Sequence, residues 1–279
     1  MADQVILITA TTAATPIMMM AVILITTMVI PTTMTAATLI TTTEIQTMTD
    51  IFAKMRHETK HQIGKHEDLV LSQRLGKLFK RDEFAGPDGT YKVTSLYFDT
   101  PYDDALREKL EGQLKREKFR LRYYGNEAET IRLEKKFKNN GLSGKNQLNL
   151  TNDEVIKILN GEYSFLLDKN SQLAVEFYSK LQGRLLKPKT IVTYDREAFR
   201  YPAADVRITL DRNIKTSLHI VDFLSETVPK VSVAEGFTVL EVKYRRFIPD
   251  VVLMAIQTEG SLTTAFSKPY AVDLIEINR

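Results

Sequence analysis

Several separate stretches of this chain alternate charged and apolar residues with a period of two. Side chains two apart on a β-strand share a face, so each stretch reads as a strand with one charged face. Met55–Ile63 (MRHETKHQI) puts Arg56, Glu58 and Lys60 together. Glu117–Tyr124 (EKFRLRYY) sets Lys118, Arg120 and Arg122 opposite Phe119, Leu121 and Tyr123. Thr130–Phe137 (TIRLEKKF) aligns Arg132, Glu134 and Lys136. Asp205–Asp211 places Arg207, Thr209 and Asp211 opposite Val206, Ile208 and Leu210. Phe237–Tyr244 sets Glu241 and Lys243 opposite Leu240 and Val242, and Thr190–Phe199 offers Tyr194 and Arg196 on one face.

Taken singly, each charged face could be the wet side of an ordinary amphipathic sheet. The set points elsewhere. Lys and Arg dominate, carboxylates are isolated, and the opposite faces are apolar enough to pack on helices. A closed antiparallel barrel, polar inside and clad in helices outside, would use both faces. Helical segments are expected at Lys65–Phe79, Thr151–Leu159, Leu173–Leu186 and Pro249–Ile256. Thr151 with Glu154 three residues on forms a capping-box signature. Loops are expected at Gly86–Gly89, Asn139–Gly141 and Pro229–Gly236, and Gly141–Leu148 (GLSGKNQL) also reads as loop. The order is α+β, without the βαβ alternation of a parallel nucleotide-binding sheet. Neither a GxxxxGK[ST] loop nor a GxGxxG fingerprint occurs.

Composition narrows the chemistry. The absence of cysteine excludes disulfides, thiolate metal sites and a Cys nucleophile. Setting aside Asp3 and Glu44 leaves 33 acids against 38 bases over residues 48–279, a net of +5. That is a mild bias toward anionic partners, so the placement of charge carries the argument. Residues 4–43 hold no charged side chain. Their apolar stretch between Pro16 and Pro31 is short of the roughly 20 residues a spanning helix needs. Residues 1–50 read as a Thr/Met/Ala-rich extension, disordered or preceding the true start, and residues 51–279 as the working domain.

Many cations with a few carboxylates in one channel suit a multiply charged phosphate anion. Arg binds phosphate by paired hydrogen bonds and Lys as a point charge, and the anion relieves repulsion among the cations. An isolated carboxylate there is a natural ligand for Mg2+ or Mn2+. His57 and His61 share the strand face opposite Glu58 and Lys60 and read as outward or packing residues.

The ordered run RHETKH, SLYFDTPYDDALREK, REKFRLRYYG, IRLEKK, KTIVTYDREAF, VRITLDRNI, LEVKY and AFSK resembles the VTC domain over about residues 55–270. This is the catalytic domain of polyphosphate polymerases within the triphosphate tunnel metalloenzymes. The resemblance implies a closed tunnel barrel of about eight antiparallel strands. It also implies transfer of the terminal phosphate of ATP onto a growing polyphosphate chain with a divalent metal, Mn2+ or Mg2+. By position, the catalytic cations implied are Lys60, Arg120, Arg122, Lys136, Arg196, Arg207 and Lys268. Lys145, Tyr194 and Ser267 fall on substrate-binding positions, to which the strand pattern adds Lys118 and Lys243. Glu241 falls on the metal-binding position, and Glu58 and Glu134 on further carboxylate positions. The sequence departs from the hydrolase ExExK pattern, because Arg56 stands at the first Glu.

ATP and polyphosphate are thus the expected partners, nucleic acid is not, and the expected location is the cytoplasm or the cytoplasmic face of a membrane. An inorganic triphosphatase or nucleoside triphosphatase of the same fold, or a non-catalytic polyphosphate-binding module, are the alternatives.

Overall fold

The computed structural model describes residues 55–258, apart from 127 and 226, together with 262–263. In chain order the strands are β1 (His57–Gly64), β2 (Lys80–Arg81), β3 (Thr90–Asp99), β4 (Lys115–Tyr124), β5 (Ile131–Asn139) and β6 (Leu142–Leu150). They continue with β7 (Lys187–Tyr201), β8 (Val206–Ser217), β9 (Val231–Ser232), β10 (Phe237–Tyr244) and β11 (Leu262–Thr263). The helices are α1 (Lys65–Leu78), α2 (Asp104–Leu110), α3 (Asn152–Leu159), α4 (Gln172–Gly183) and α5 (Asp250–Ile256).

All pairings are antiparallel, and the sheet runs β11-β1-β10-β8-β7-β3-β4-β5-β6, with β2 on β7 and β9 on β8. The class is α+β, as expected. The closed barrel of about eight strands needs correction. Among the described residues the sheet has eleven strands, three of them only two residues long, and it does not close through a ladder. Near its middle the outer edge of β1 is taken by β11, at His61 and Gln62. Among the described residues the backbones of the two ends meet only where Arg56 and Ser143 form one bridge, with both N–H···O distances 2.9 Å.

The alternation read from the sequence determines what packs where. Outward residues of β3, β4 and β5 (Leu96, Phe98, Phe119, Leu121, Ile131 and Leu133) are buried against Val155 and Ile158 of α3 and Phe177 of α4. Outward residues of β1, β8 and β10 (Ile63, Ile208, Leu210, Leu240 and Val242) meet Leu71 and Leu75 of α1 and Val252 of α5. Each such side chain contributes roughly 1.5–3 kcal/mol on burial. That is the driving force that offsets bringing charges together on the other face, a cost of several kcal/mol per ion.

Local signals hold where backbone chemistry is explicit. Thr151 Oγ1 accepts from Glu154 N at 3.3 Å, and Glu154 Oε2 accepts from Thr151 N at 2.9 Å, completing the capping box of α3. Asn140 and Gly141, with φ of 46° and 87°, make the tight turn that pairs β5 with β6. The segment expected to be a loop, Gly141–Leu148, is therefore mostly strand. Pairing with β5 overrides its weak strand propensity.

Candidate active site

The inward faces of β1, β4, β5, β6, β7, β8 and β10 converge on one charged interior. Lys136 Nζ of β5 lies 2.6 and 2.9 Å from the two carboxylate oxygens of Glu58 on β1. Lys60 sits 3.6 Å from Glu58 and 3.3 Å from Glu241, while Lys243 and Arg196 lie 3.1 and 3.9 Å from Glu241. Lys60 is thus shared between the Glu58 and Glu241 carboxylates. Burial works to raise the Glu241 pKa, but Lys243 and Lys60 overcome it and hold the carboxyl well below its usual range. Burial works to lower Lys60, and Glu241 and Glu58 reverse that.

A second cluster surrounds Glu134, which is completely buried. Arg120 Nε and Lys145 Nζ each lie 2.7 Å from its carboxylate oxygens, and Arg120 Nη1 donates to Tyr97 Oη at 3.1 Å. Burial opposes ionisation of Glu134, and Arg120, Arg122 and Lys145 win, so it stays a carboxylate far below its ordinary pKa. Arg196 binds Asp211 in a paired arrangement at 2.6 and 2.8 Å. Arg207 bonds Asp82 and Tyr91 Oη, the latter at 2.8 Å.

Other polar groups of the interior are partnered incompletely or without a carboxylate. Arg122 is buried and donates only to hydroxyls among the described residues, Ser95 Oγ at 2.9 Å and Tyr194 Oη at 3.1 Å. Arg207 Nε and Thr209 Oγ1 are buried with no hydrogen-bond partner among the described residues. Burial, reinforced by Lys109 and Lys60 over the opposing field of Tyr97, pushes Lys118 down to about 7. Burial outweighs the Glu58 attraction at Lys136, which falls to about 8.

The structure thus brings Lys60, Lys118, Arg120, Arg122, Lys136, Lys145, Tyr194, Arg196, Arg207 and Lys243 together with Glu58, Glu134 and Glu241. Ser267 and Lys268 lie outside the described residues, as does the extension at 1–50. His57 stacks on Tyr244 at 5.1 Å, away from the carboxylates. The sequence reading missed Asp82, Tyr91, Ser95 and Tyr97, and it left Asp211 without a role although it lay on the charged face. It also missed Lys109 of α2, whose charge acts on Lys118 and is itself pushed down to about 8 by burial and by Lys60 and Arg116.

Among the described residues no group of three or more His, Asp or Glu side chains could hold a metal alone. The adjacent pair Glu58 and Glu241 fits a different habit. Mg2+ and similar ions take one or two carboxylates and complete their shell with phosphate oxygens and water. Glu134 is saturated by Arg120 and Lys145.

No curated protein matches the sequence. Solved structures with a partial likeness include a candidate adenylyl cyclase from Hippeastrum, described as having a dominant triphosphatase activity. It has a TM-score of 0.45 and 14% identity, with 81% of this chain and 97% of that one covered. A candidate adenylate cyclase from Bacillus halodurans gives 0.43 and 13%, covering 74% and 95%. The mimivirus capping enzyme triphosphatase gives 0.34 and 11%, covering 78% and 98%. Scores this low carry no argument, and the assignment rests on sequence. Residues 55–271 match the family model of the VTC domain, and the chain belongs to that family.

Proposed function

We propose that this chain is a polyphosphate polymerase that moves the terminal phosphate of ATP onto a polyphosphate chain held among its inward cations. The supporting observation is Arg122. It is a buried guanidinium with hydroxyl partners only, facing the same interior as Arg207, whose Nε has no partner among the described residues. Buried cations left this way are costly, and a chain of phosphates would satisfy them.

Phosphoryl transfer asks mainly for positioning and charge neutralisation. Glu134 and Asp211 hold Arg120 and Arg196 in fixed orientations, so their remaining N–H groups would meet phosphate oxygens without reorganising. Lys136 and Lys118, pushed down to about 8 and 7, would become fully protonated as the anion arrives. Tyr194 orients Arg122 through its hydroxyl. Glu241 and Glu58 would hold Mn2+ or Mg2+, which when bound neutralises charge on the phosphoryl group. No helix among the described residues is long and apolar enough to cross a membrane.

The test is incubation of purified protein with ATP and Mn2+, read on a polyphosphate gel. Long-chain polyphosphate from the wild type, abolished in Glu241→Gln, is the expected result. Orthophosphate alone would replace this reading with the triphosphatase. Tight polyphosphate binding without turnover under any divalent metal would mark a binding module.

A further inference from the structure

An aromatic cluster stands beside the arginines of the cavity. The Phe84 ring stacks on Tyr124 at 6.1 Å with an interplanar angle of 11°, and both meet Tyr91 edge-on at 6.4 and 5.9 Å. Tyr91 and Tyr124 share the inward faces of β3 and β4 with the charged residues, since Tyr91 Oη accepts from Arg207 and Tyr124 lies under Arg122. Phe84 itself is 51% exposed and belongs to none of the three buried apolar clusters. Burial therefore gives little reason for a large apolar ring at this place.

Its loop is nevertheless held firmly. Asp82 N donates to Ala198 O at 2.8 Å, the Asp82 carboxylate is bound by Arg207, and Gly86 N donates to Thr90 O at 2.8 Å. The ring is presented at a fixed position two residues from an ion pair of the cavity. The guanidinium carbons of Arg132 and Arg122 lie 5.5 and 6.0 Å from the Tyr124 ring centroid. Arg132, like Arg122, forms no ion pair among the described residues. A flat π surface thus adjoins two guanidiniums without a direct ion pair among the described residues, of which Arg122 feels the Glu134 carboxylate at longer range.

We infer that Phe84, backed by Tyr124 and Tyr91, is the platform on which the base of a nucleoside triphosphate stacks, with Arg132 and Arg122 receiving the phosphates that follow it. The inference rests on the reading of the cavity as a triphosphate site and adds to it a separate base subsite. Stacking of this kind is tolerant of base identity. The platform therefore distinguishes nucleotide from bare polyphosphate without selecting one base.

Calorimetric titration of the full chain with ATP and, separately, with inorganic tripolyphosphate tests this. Phe84→Leu keeps an apolar side chain of similar size and removes the π face. It should weaken ATP binding about tenfold and leave tripolyphosphate unchanged, while Phe84→Tyr should bind both ligands like the wild type. An unchanged ATP affinity in Phe84→Leu overturns the inference. So does a parallel loss of both ligands, which would mark Phe84 as a packing residue. A wild-type protein that binds neither ligand would overturn the triphosphate reading of the cavity, and the platform with it.

Discussion

Lys136 on β5 and Glu58 on β1 are joined at 2.6 Å although their strands share no ladder. The contact spans the seam where the sheet fails to close by hydrogen bonds. It is flanked by the backbone bridge between Arg56 and Ser143. Lys136→Met should therefore act twice. It removes a cation from the cavity and unfastens one side of the seam. Activity with ATP should fall on the order of 100-fold, an effect of about 2.7 kcal/mol. Native-state hydrogen exchange should show faster opening of β1 and β6 than of β3 and β7.

The depressed lysines make stability depend on pH in a specific direction. A lysine whose folded pKa lies below its ordinary value opposes folding while it must be charged, and this penalty disappears as pH rises from the folded pKa toward the unfolded one. For Lys136 and Lys109, at about 8, and Lys118, at about 7, that window runs from near 7 to the ordinary lysine value of 10.5. Lys60 is shifted upward, so its contribution is present throughout that window and is lost only above it. The melting temperature of ligand-free protein should rise by several degrees between about pH 7 and pH 10. Saturating tripolyphosphate, which favours the charged lysines, should flatten or reverse the slope. Thermal melts across that range with and without the anion check both statements.

Glu134 and Glu241 are both buried carboxylates, yet they should respond differently to amide substitution. Glu134 neutralises Arg120 and Lys145 directly, so Glu134→Gln leaves a buried guanidinium uncompensated. The expected loss is about 3 kcal/mol of stability, the lower end for breaking a buried pair. Lys145 is well exposed and should add little to it. Glu241→Gln should instead abolish metal-dependent turnover and lower stability by less than Glu134→Gln, because the lysines it neutralises, Lys60 and Lys243, keep about a quarter of their side-chain surface in water. Chemical denaturation and metal titration of both variants distinguish the two roles.

Gly144 faces Phe137 directly across β5 and β6, and a Cβ built there would lie 2.3 Å from Phe137 Cζ. The ring covers the glycine and fills the place of its missing side chain. Gly144→Ala should displace the ring and destabilise the protein by roughly 1–3 kcal/mol, as overpacking does. Denaturant unfolding measures it.

The sequence exposed the parts of this site that alternate in charge, and it did so strand by strand. Arg120 and Arg122, Glu134 and Lys136, Glu58 and Lys60 each declare a face, because period two is a local property. Hydroxyl partners stayed hidden. β3 offers Tyr91, Ser95 and Tyr97 to the cavity, and nothing in TYKVTSLYFD separates those positions from core. Asp82 was invisible for another reason: it reaches Arg207 from a loop 125 residues away in sequence. Pairing order depends on such long-range register, which local patterns do not encode. The strand β6 was read as loop because Gly, Ser, Asn and Gln dominate it, and its pairing with β5 supplies what its own propensity lacks.

The proposed function requires the inward cations to form one binding site for a chain of phosphates. Titration of the full-length protein with inorganic tripolyphosphate at fixed salt, beside Arg122→Met, addresses it most directly. Saturable one-to-one binding is expected, weakened at least tenfold in the variant, a loss of about 1.4 kcal/mol or more. Binding that is absent in the wild type, or equally strong without the Arg122 guanidinium, would contradict it.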